Sequence, residues 1–207
     1  MFLSRVEVAW PKARNPYDLH RAVWDLFPGE PREPRRAFEQ ERQGFLFRME
    51  ASRPGQAARL LVQSRRAPLT VAEHARVLGV REFDPQPAAG QHLAFLLTAN
   101  PIKTIVDQEG RQHENGAPKK CRVPLIREQE QRGWLARKLN GAAVVDAASL
   151  QMHPPIYFRK NGAGKIVPVT FKGVLMVDQP ELLKTLLENG IGPAKGFGCG
   201  LLLVRKL

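Results

Sequence analysis

Three features of the chain predict an α+β protein of two similar halves. Short runs of alternating apolar and polar residues mark strands. Amphipathic segments that open on asparagine, proline or threonine mark helices. The order strand–helix–strand–strand–helix–strand is then read twice, on either side of a proline-rich linker. That order is the βαββαβ of a ferredoxin-like (RRM-like) fold, so two tandem ferredoxin-like domains are the economical architecture. The 207 residues suit two domains of about 100 residues each. We place them at 1–88 and 92–207. The segment Asp84-Pro85-Gln86-Pro87-Ala88-Ala89-Gly90-Gln91 supplies the turn-forming composition of a linker.

In the first half, Phe2 to Trp10 alternates and reads as a strand. Asn15-Pro16 supplies a cap and a first-turn proline, with Asp18 placed to complement the helix dipole. This helix runs to about Phe27, where Pro28-Gly29 stops it. Residues 28–36 hold three prolines and three arginines and read as a basic loop. Phe45 to Glu50 and Ala57 to Gln63 are strands joined by a turn at 52–55. Thr70 is expected to cap a short helix ending near Leu78-Gly79, and Val80 to Phe83 closes the half as a strand.

In the second half, His92 to Ile105 is a strand interrupted at Asn100-Pro101, and residues 107–119 read as a polar, flexible loop. Pro124 to Leu139 is expected to be the longest helix. Strands follow at 144–153, 155–160 and 165–177, with a glycine-containing hairpin turn at 161–164. Pro180 opens a helix to about Glu188, a glycine-rich loop follows, and Leu201 to Val204 ends the chain as a strand.

Composition narrows the function classes. Lys+Arg number 32 against 20 Asp+Glu, giving a formal charge of +12, a balance that points to a polyanionic partner, most often nucleic acid. No stretch approaches eighteen consecutive apolar residues, so a transmembrane segment is not expected, and the amino terminus reads directly into a strand rather than a signal peptide. Cys121 and Cys199 form no pair motif. The expectation is a reducing, cytoplasmic setting with no disulfide framework. No H-x-x-x-H, Cys/His pairing or D-x-D cluster is present, so neither a metal nor another cofactor is expected.

Two stretches carry the candidate chemistry. Gly190-Ile191-Gly192-Pro193-Ala194-Lys195-Gly196-Phe197-Gly198-Cys199-Gly200 has five glycines in eleven positions. Such a loop lets the backbone come close to a phosphate, its N–H groups can form an anion-binding concavity, and Lys195 adds a cation. It does not match a P-loop string, and its order of helix before loop reverses that of a dinucleotide-binding loop. On the first helix, Leu19, Val23, Leu26 and Phe27 form an apolar face, while Tyr17, His20, Arg21 and Trp24 fall on the other. A group that titrates near neutrality, a hydroxyl and a cation suit metal-free RNA cleavage, in which the ribose 2′-OH attacks the adjacent phosphate. Lys119, Lys120 and Arg122, and then Arg159, Lys160 and Lys165 around the hairpin tip, are further candidate phosphate contacts. Tyr17, Trp24, Tyr157 and Phe197 are candidate stacking surfaces.

These motifs resemble a known family. GIGPAKGFGCG resembles the G-h-G-x-x-x-x-x-G-h-G loop of the RAMP superfamily. With FLSRVEVAW, DLHRAVWDLFPG, ANPIKTI and KKCRVPL, it is similar to the CasE-type CRISPR-associated endoribonucleases of type I-E systems over nearly the whole chain. The resemblance implies binding of the repeat stem-loop of a CRISPR precursor transcript and metal-independent cleavage at the base of its 3′ side, leaving a 2′,3′-cyclic phosphate. It also implies retention of the product within the multi-subunit Cascade complex. The family's catalytic histidine and tyrosine fall on His20 and Tyr17, its glycine loop on Gly190 to Gly200 (with Gly192, Gly196 and Gly198 at the RNA), and its groove-contacting hairpin on roughly Tyr157 to Val167. Arg21 and Lys195 are the expected accompanying cations. A non-catalytic RNA-binding subunit on the same scaffold is the alternative from another class; a basic metabolic enzyme is a distant third, without a cofactor motif to support it.

Overall fold

The computed structural model describes residues 1–29, 44–106, 110, 112, 115–118, 120–159 and 163–207. The elements of the first half are strands β1 (Phe2–Val8), β2 (Phe45–Ala51), β3 (Ala58–Ser64), β4 (Val71–Ala72) and β5 (Ala75–Glu82), with helices α1 (Trp10–Ala13) and α2 (Pro16–Trp24). They form one sheet in the order β2-β3-β1-β5-β4, every neighbouring pair antiparallel. Asn15 caps α2 as its sequence demands, its side chain accepting from the Tyr17 N–H at 2.9 Å. Leu19, Ala22 and Val23 of α2 are buried against Val6, Val8, Phe45, Phe47, Leu60 and Val62.

The second half contributes β6 (His92–Ala99), β7 (Ile102–Val106), β8 (Lys120–Pro124), α3 (Glu128–Leu139), β9 (Ala143–Met152), β10 (Ile156–Arg159), β11 (Ala163–Ile166), β12 (Val169–Val177), α4 (Pro180–Asn189) and β13 (Leu202–Lys206). Its main sheet runs β13-β6-β12-β9, and β7-β8 and β10-β11 are separate two-stranded ribbons. Numbered within the half, the main order is 4-1-3-2, the antiparallel order of a ferredoxin-like unit. Helices α3 and α4 cover one face through Trp134, Leu135, Leu139, Leu183 and Leu187.

The first sheet keeps the same strand order but departs from the expected elements. The helix expected from Thr70 to about Gly79 is absent: Val71–Ala72 and Ala75–Glu82 pair as a hairpin around Glu73-His74. Val71, Val77 and Val80 favour strand over helix, and pairing of β5 along β1 decides the outcome. The long helix begins at Glu128 rather than Pro124, because residues 120–124 pair with β7. Proline has no N–H to continue that ladder, and it closes the ribbon opposite Ile102. The single strand expected over 165–177 is two strands, broken at Val167-Pro168, where the Val167 N–H turns to Asn100 Oδ1 at 3.2 Å. Helix α1 was not legible in the sequence. The expected basic loop falls mostly outside the described residues, as does most of the expected loop over 107–119.

The two halves meet along the edge of β2. Gln63 Nε2 donates to the Leu187 carbonyl of α4 at 2.6 Å in a buried contact. Gly190 lies over Leu46 so closely that a Cβ there would stand 2.9 Å from the leucine methyls. A Cβ on Gly198 would stand 3.2 Å from the Phe47 ring and 3.7 Å from the Met49 nitrogen. The loop after α4 therefore passes over both faces of the edge strand and shields it. Among the described residues, no helix is long and apolar enough to cross a membrane.

Candidate active site

The geometry brings an amino-terminal imidazole to a carboxy-terminal loop. A Cβ on Gly196 would lie 3.5 Å from His20 Cδ2 and 3.7 Å from Nε2, so the loop backbone runs in van der Waals range of the ring. Aromatic neighbours surround the rest of it. Phe45 stands edge-on at 5.1 Å between centroids, Trp24 is tilted at 5.6 Å, and Phe47 lies at 6.3 Å. Trp24 follows His20 by one helical turn, whereas Phe45 and Phe47 reach it because alternate residues of β2 share a face. The alternation Phe45-Leu46-Phe47 is the signal that could have found these walls in the sequence.

Tyr17, one turn before His20, is held by two further rings. Phe197 of the loop lies edge-on at 5.2 Å and Phe158 of β10 at 5.9 Å, with Phe158 and Phe197 at 4.8 Å from one another. The hairpin, the first helix and the glycine loop therefore converge on one phenol. Phe158 in turn lies across Gly164 of the partner strand, where a Cβ would sit 2.2 Å from the ring. Sequence reasoning had not singled out Phe158. Tyr157, on the opposite face of the hairpin, is 70% exposed, with Lys165 Nζ at 6.0 Å from its ring centre.

The loop conformation explains its glycines individually. Gly190, Gly192, Gly198 and Gly200 all have positive φ, and so does Ala194 at 66°. Gly192 also has no room for a Cβ, which would meet Trp134 of α3 at 2.8 Å. A single 3₁₀ turn at Lys195–Phe197 forms the floor beside His20. Several amides are spent within the protein. The N–H groups of Gly198 and Cys199 donate to Lys195 and Ala194, and that of Gly200 donates to Thr98 at 2.7 Å. The Gly198 N–H is therefore already committed within the loop.

The cations divide. Arg21 is 70% exposed and pairs with Asp18. Lys195 Nζ donates to the Asn189 carbonyl at 2.6 Å, so its charge meets the negative end of α4. With Gln63 on Leu187, it satisfies carbonyls that the helix end leaves without an internal partner. Lys120 and Arg122 are exposed on β8. They lie on the β7–β8 ribbon, which is separate from both main sheets. Lys119, Lys160 and the side chain of Arg159 lie outside the described residues. Burial pushes the Cys199 thiol up to about 12, which removes it as a nucleophile. Among the described residues, no group of three or more His, Cys, Asp or Glu side chains could hold a metal ion.

Paired ferredoxin-like sheets clasped by a glycine-rich loop that abuts an imidazole define the class, and comparison with known proteins gives the family. The chain matches the family described as CRISPR associated protein over residues 1–206. It is 41% identical over 208 residues to the Cascade subunit CasE of Escherichia coli (strain K12), covering 100% of both chains. It is 30% identical to the CRISPR-associated endoribonuclease Cse3 of Thermus thermophilus, covering 92% of this chain and 90% of that one. The crystal structure of Cas6e from Escherichia coli K-12 superposes with a TM-score of 0.85 at 39% identity, covering 100% of each chain. This chain belongs to the family of CRISPR-associated proteins.

Proposed function

We propose that this protein is a CRISPR RNA-processing endoribonuclease. It binds the repeat stem-loop of a precursor transcript, cleaves at the base of the hairpin, and stays with the mature guide RNA as a subunit of a cytoplasmic Cascade-type complex. Its relatives bear the names CasE and Cse3, and a structure at 27% identity and TM-score 0.71 is of Cse3 bound to an RNA representing a pre-cleavage complex. The observation that carries the reading for this chain is the closeness of Gly196 to the His20 ring, where an added Cβ would lie only 3.5 Å from Cδ2. That approach leaves backbone, with no side chain between, beside a proton-transfer group. Residues 1–88 form the domain that presents His20, and residues 92–207 form the domain that supplies the loop and the hairpin.

In the reaction the 2′-oxygen loses its proton and attacks the adjacent phosphorus. The new O2′–P bond forms as the P–O5′ bond breaks, and the leaving 5′ oxygen takes up a proton. His20 moves one of these protons, as base at the 2′-OH or acid at the 5′ oxygen. Tyr17, fixed between Phe158 and Phe197, orients His20 or the 2′-OH. Amides of the loop around Gly192 to Gly196, with Gly198 shaping it, approach the phosphate. Arg21, Lys195, Lys119, Lys120, Arg122, Arg159, Lys160 and Lys165 supply positive charge along the RNA, and no metal takes part. The experiment is to incubate the protein with its host's repeat transcript and map the ends. A single cut at the hairpin base, with a cyclic phosphate and full rate in chelator, is expected. Tight binding without scission would instead leave an RNA-binding subunit. Loss of cutting in EDTA by a folded protein would overturn the metal-free mechanism.

A further inference from the structure

The open face of the first sheet carries charge that the cleavage site does not use. Alternate residues of its strands point away from α2, and the registers bring arginines together there. Arg81 stands opposite Leu3, Arg48 and Arg5 flank Leu61, and Arg59 and Arg76 flank Glu7. Near Leu46 and Gln63 the second half closes this face, but Arg5, Arg59, Arg76 and Arg81 are exposed.

Glu7 sets the geometry of two of these arginines without cancelling them. Its Oε1 accepts from Arg59 Nε at 3.3 Å, and its Oε2 accepts from Arg76 at 3.0 and 2.7 Å. Two guanidiniums on one carboxylate keep a net positive charge and spare donors. Arg5 and Arg81 make no ion pair among the described residues. Arg48 Nε is buried with no hydrogen-bond partner among them, and burial lowers its pKa from the ordinary value, with Glu50 at the bulge in β2 opposing that only in part. Surfaces kept only for solubility intersperse both signs; here the arginines dominate.

The spacing and position suit a nucleic-acid strand. Alternate residues on a strand and next-but-one strands place cations roughly 7–10 Å apart, intervals that a single strand can follow phosphate by phosphate. No aromatic side chain stands among these positions, so the contact is to backbone rather than to stacked bases. The face lies on the opposite side of the sheet from the cleavage site: Phe47 backs His20, and Arg48, the next residue along β2, points the other way, so RNA leaving His20 reaches the arginines by passing around the sheet.

We propose that this face is a second RNA surface. The exposed Arg5, Arg59, Arg76 and Arg81 hold the phosphates of single-stranded RNA continuous with the stem-loop cut at His20. The inference rests on the proposed endoribonuclease function. It is tested by measuring affinities of the wild type and of an Arg5→Gln/Arg81→Gln variant for two probes. One is the bare repeat stem-loop; the other carries a 5′ tail of ~10 uridines, within the site size of single-strand grooves. The wild type is expected to bind the tailed probe more tightly, and the ratio of the two affinities is expected to fall towards one in the variant. The salt slope for the tailed probe should drop by about 1.4, at ~0.7 per phosphate lost. A ratio of one in the wild type, or the same ratio in both proteins, overturns the inference and leaves the face to an acidic protein partner. Failure of the wild type to bind or cut the bare stem-loop would instead strike the proposed function.

Discussion

His20 lies where a helix face, an edge strand and a distant loop meet, and its neighbours separate structural from chemical roles. In the proposed mechanism His20→Ala removes a proton-transfer group but no core side chain. Single-turnover cleavage should fall by about 10²–10⁴-fold, with stem-loop affinity nearly unchanged; wild-type cutting by the variant would remove His20 from the chemistry. The loop glycines differ in the same way. Gly190 has φ 73°, and a Cβ there would meet the Gly200 carbonyl at 2.9 Å. Gly190→Ala should destabilise the fold by about 1–3 kcal/mol, read as a lowered denaturant midpoint. Gly196 has ordinary φ and room for a methyl beside His20, so Gly196→Ala should melt like the wild type while cleaving more slowly. Cys199 gives a control on burial. With its thiol pushed up to about 12, it should resist iodoacetamide at neutral pH until the protein is unfolded, as peptide mapping of native and denatured samples would show.

Among the elements, the hairpin β10–β11 connects two surfaces through its alternation. One face shows Tyr157 and Lys165 to solvent; the other lays Phe158 across Gly164 and against Tyr17 and Phe197. Gly164→Val would place a branched side chain where the Phe158 ring lies and displace it from Tyr17. Cleavage should slow severalfold or more while the thermal midpoint moves little, because this ribbon lies outside the two main sheets. A large fall in midpoint with unchanged cleavage would show that the ring contact is only structural. The hairpin of β4 and β5 teaches a different lesson. Thr70 resembles a helix cap, yet Val71, Val77 and Val80 and the open edge of β1 draw the segment into the sheet.

The whole molecule depends on contacts between its halves that neither half makes alone. Gln63 holds the end of α4, Leu46 lies under Gly190, and the loop covers the edge of β2 on its way to β13. Gln63→Ala leaves the buried Leu187 carbonyl without its side-chain donor at a cost of about 1–3 kcal/mol. If the halves are coupled there, denaturant unfolding should lose cooperativity, with near- and far-ultraviolet signals no longer coincident. Retention of one sharp transition at the wild-type midpoint would show that the contact carries little of the coupling. His20 and Gly196 are held by the same junction, so cleavage should decline with it.

Local sequence was enough for the two-fold-repeated fold class, the capped first helix, the shared helical stripe of Tyr17, His20 and Trp24, and a charge of +12 suited to nucleic acid. Those features follow from periodicity, caps and composition, which are written within short windows of chain. Folding in three dimensions was needed to make residues 71–82 strands and to turn Lys195 to the end of α4. It was needed too for Phe158 to reach Tyr17 and for five arginines from four strands to share one face. Each depends on register or on an approach between segments far apart in the chain, as with His20 and Gly196. Side-chain periodicity fixes which way a residue points from its own strand or helix; only packing fixes what it meets.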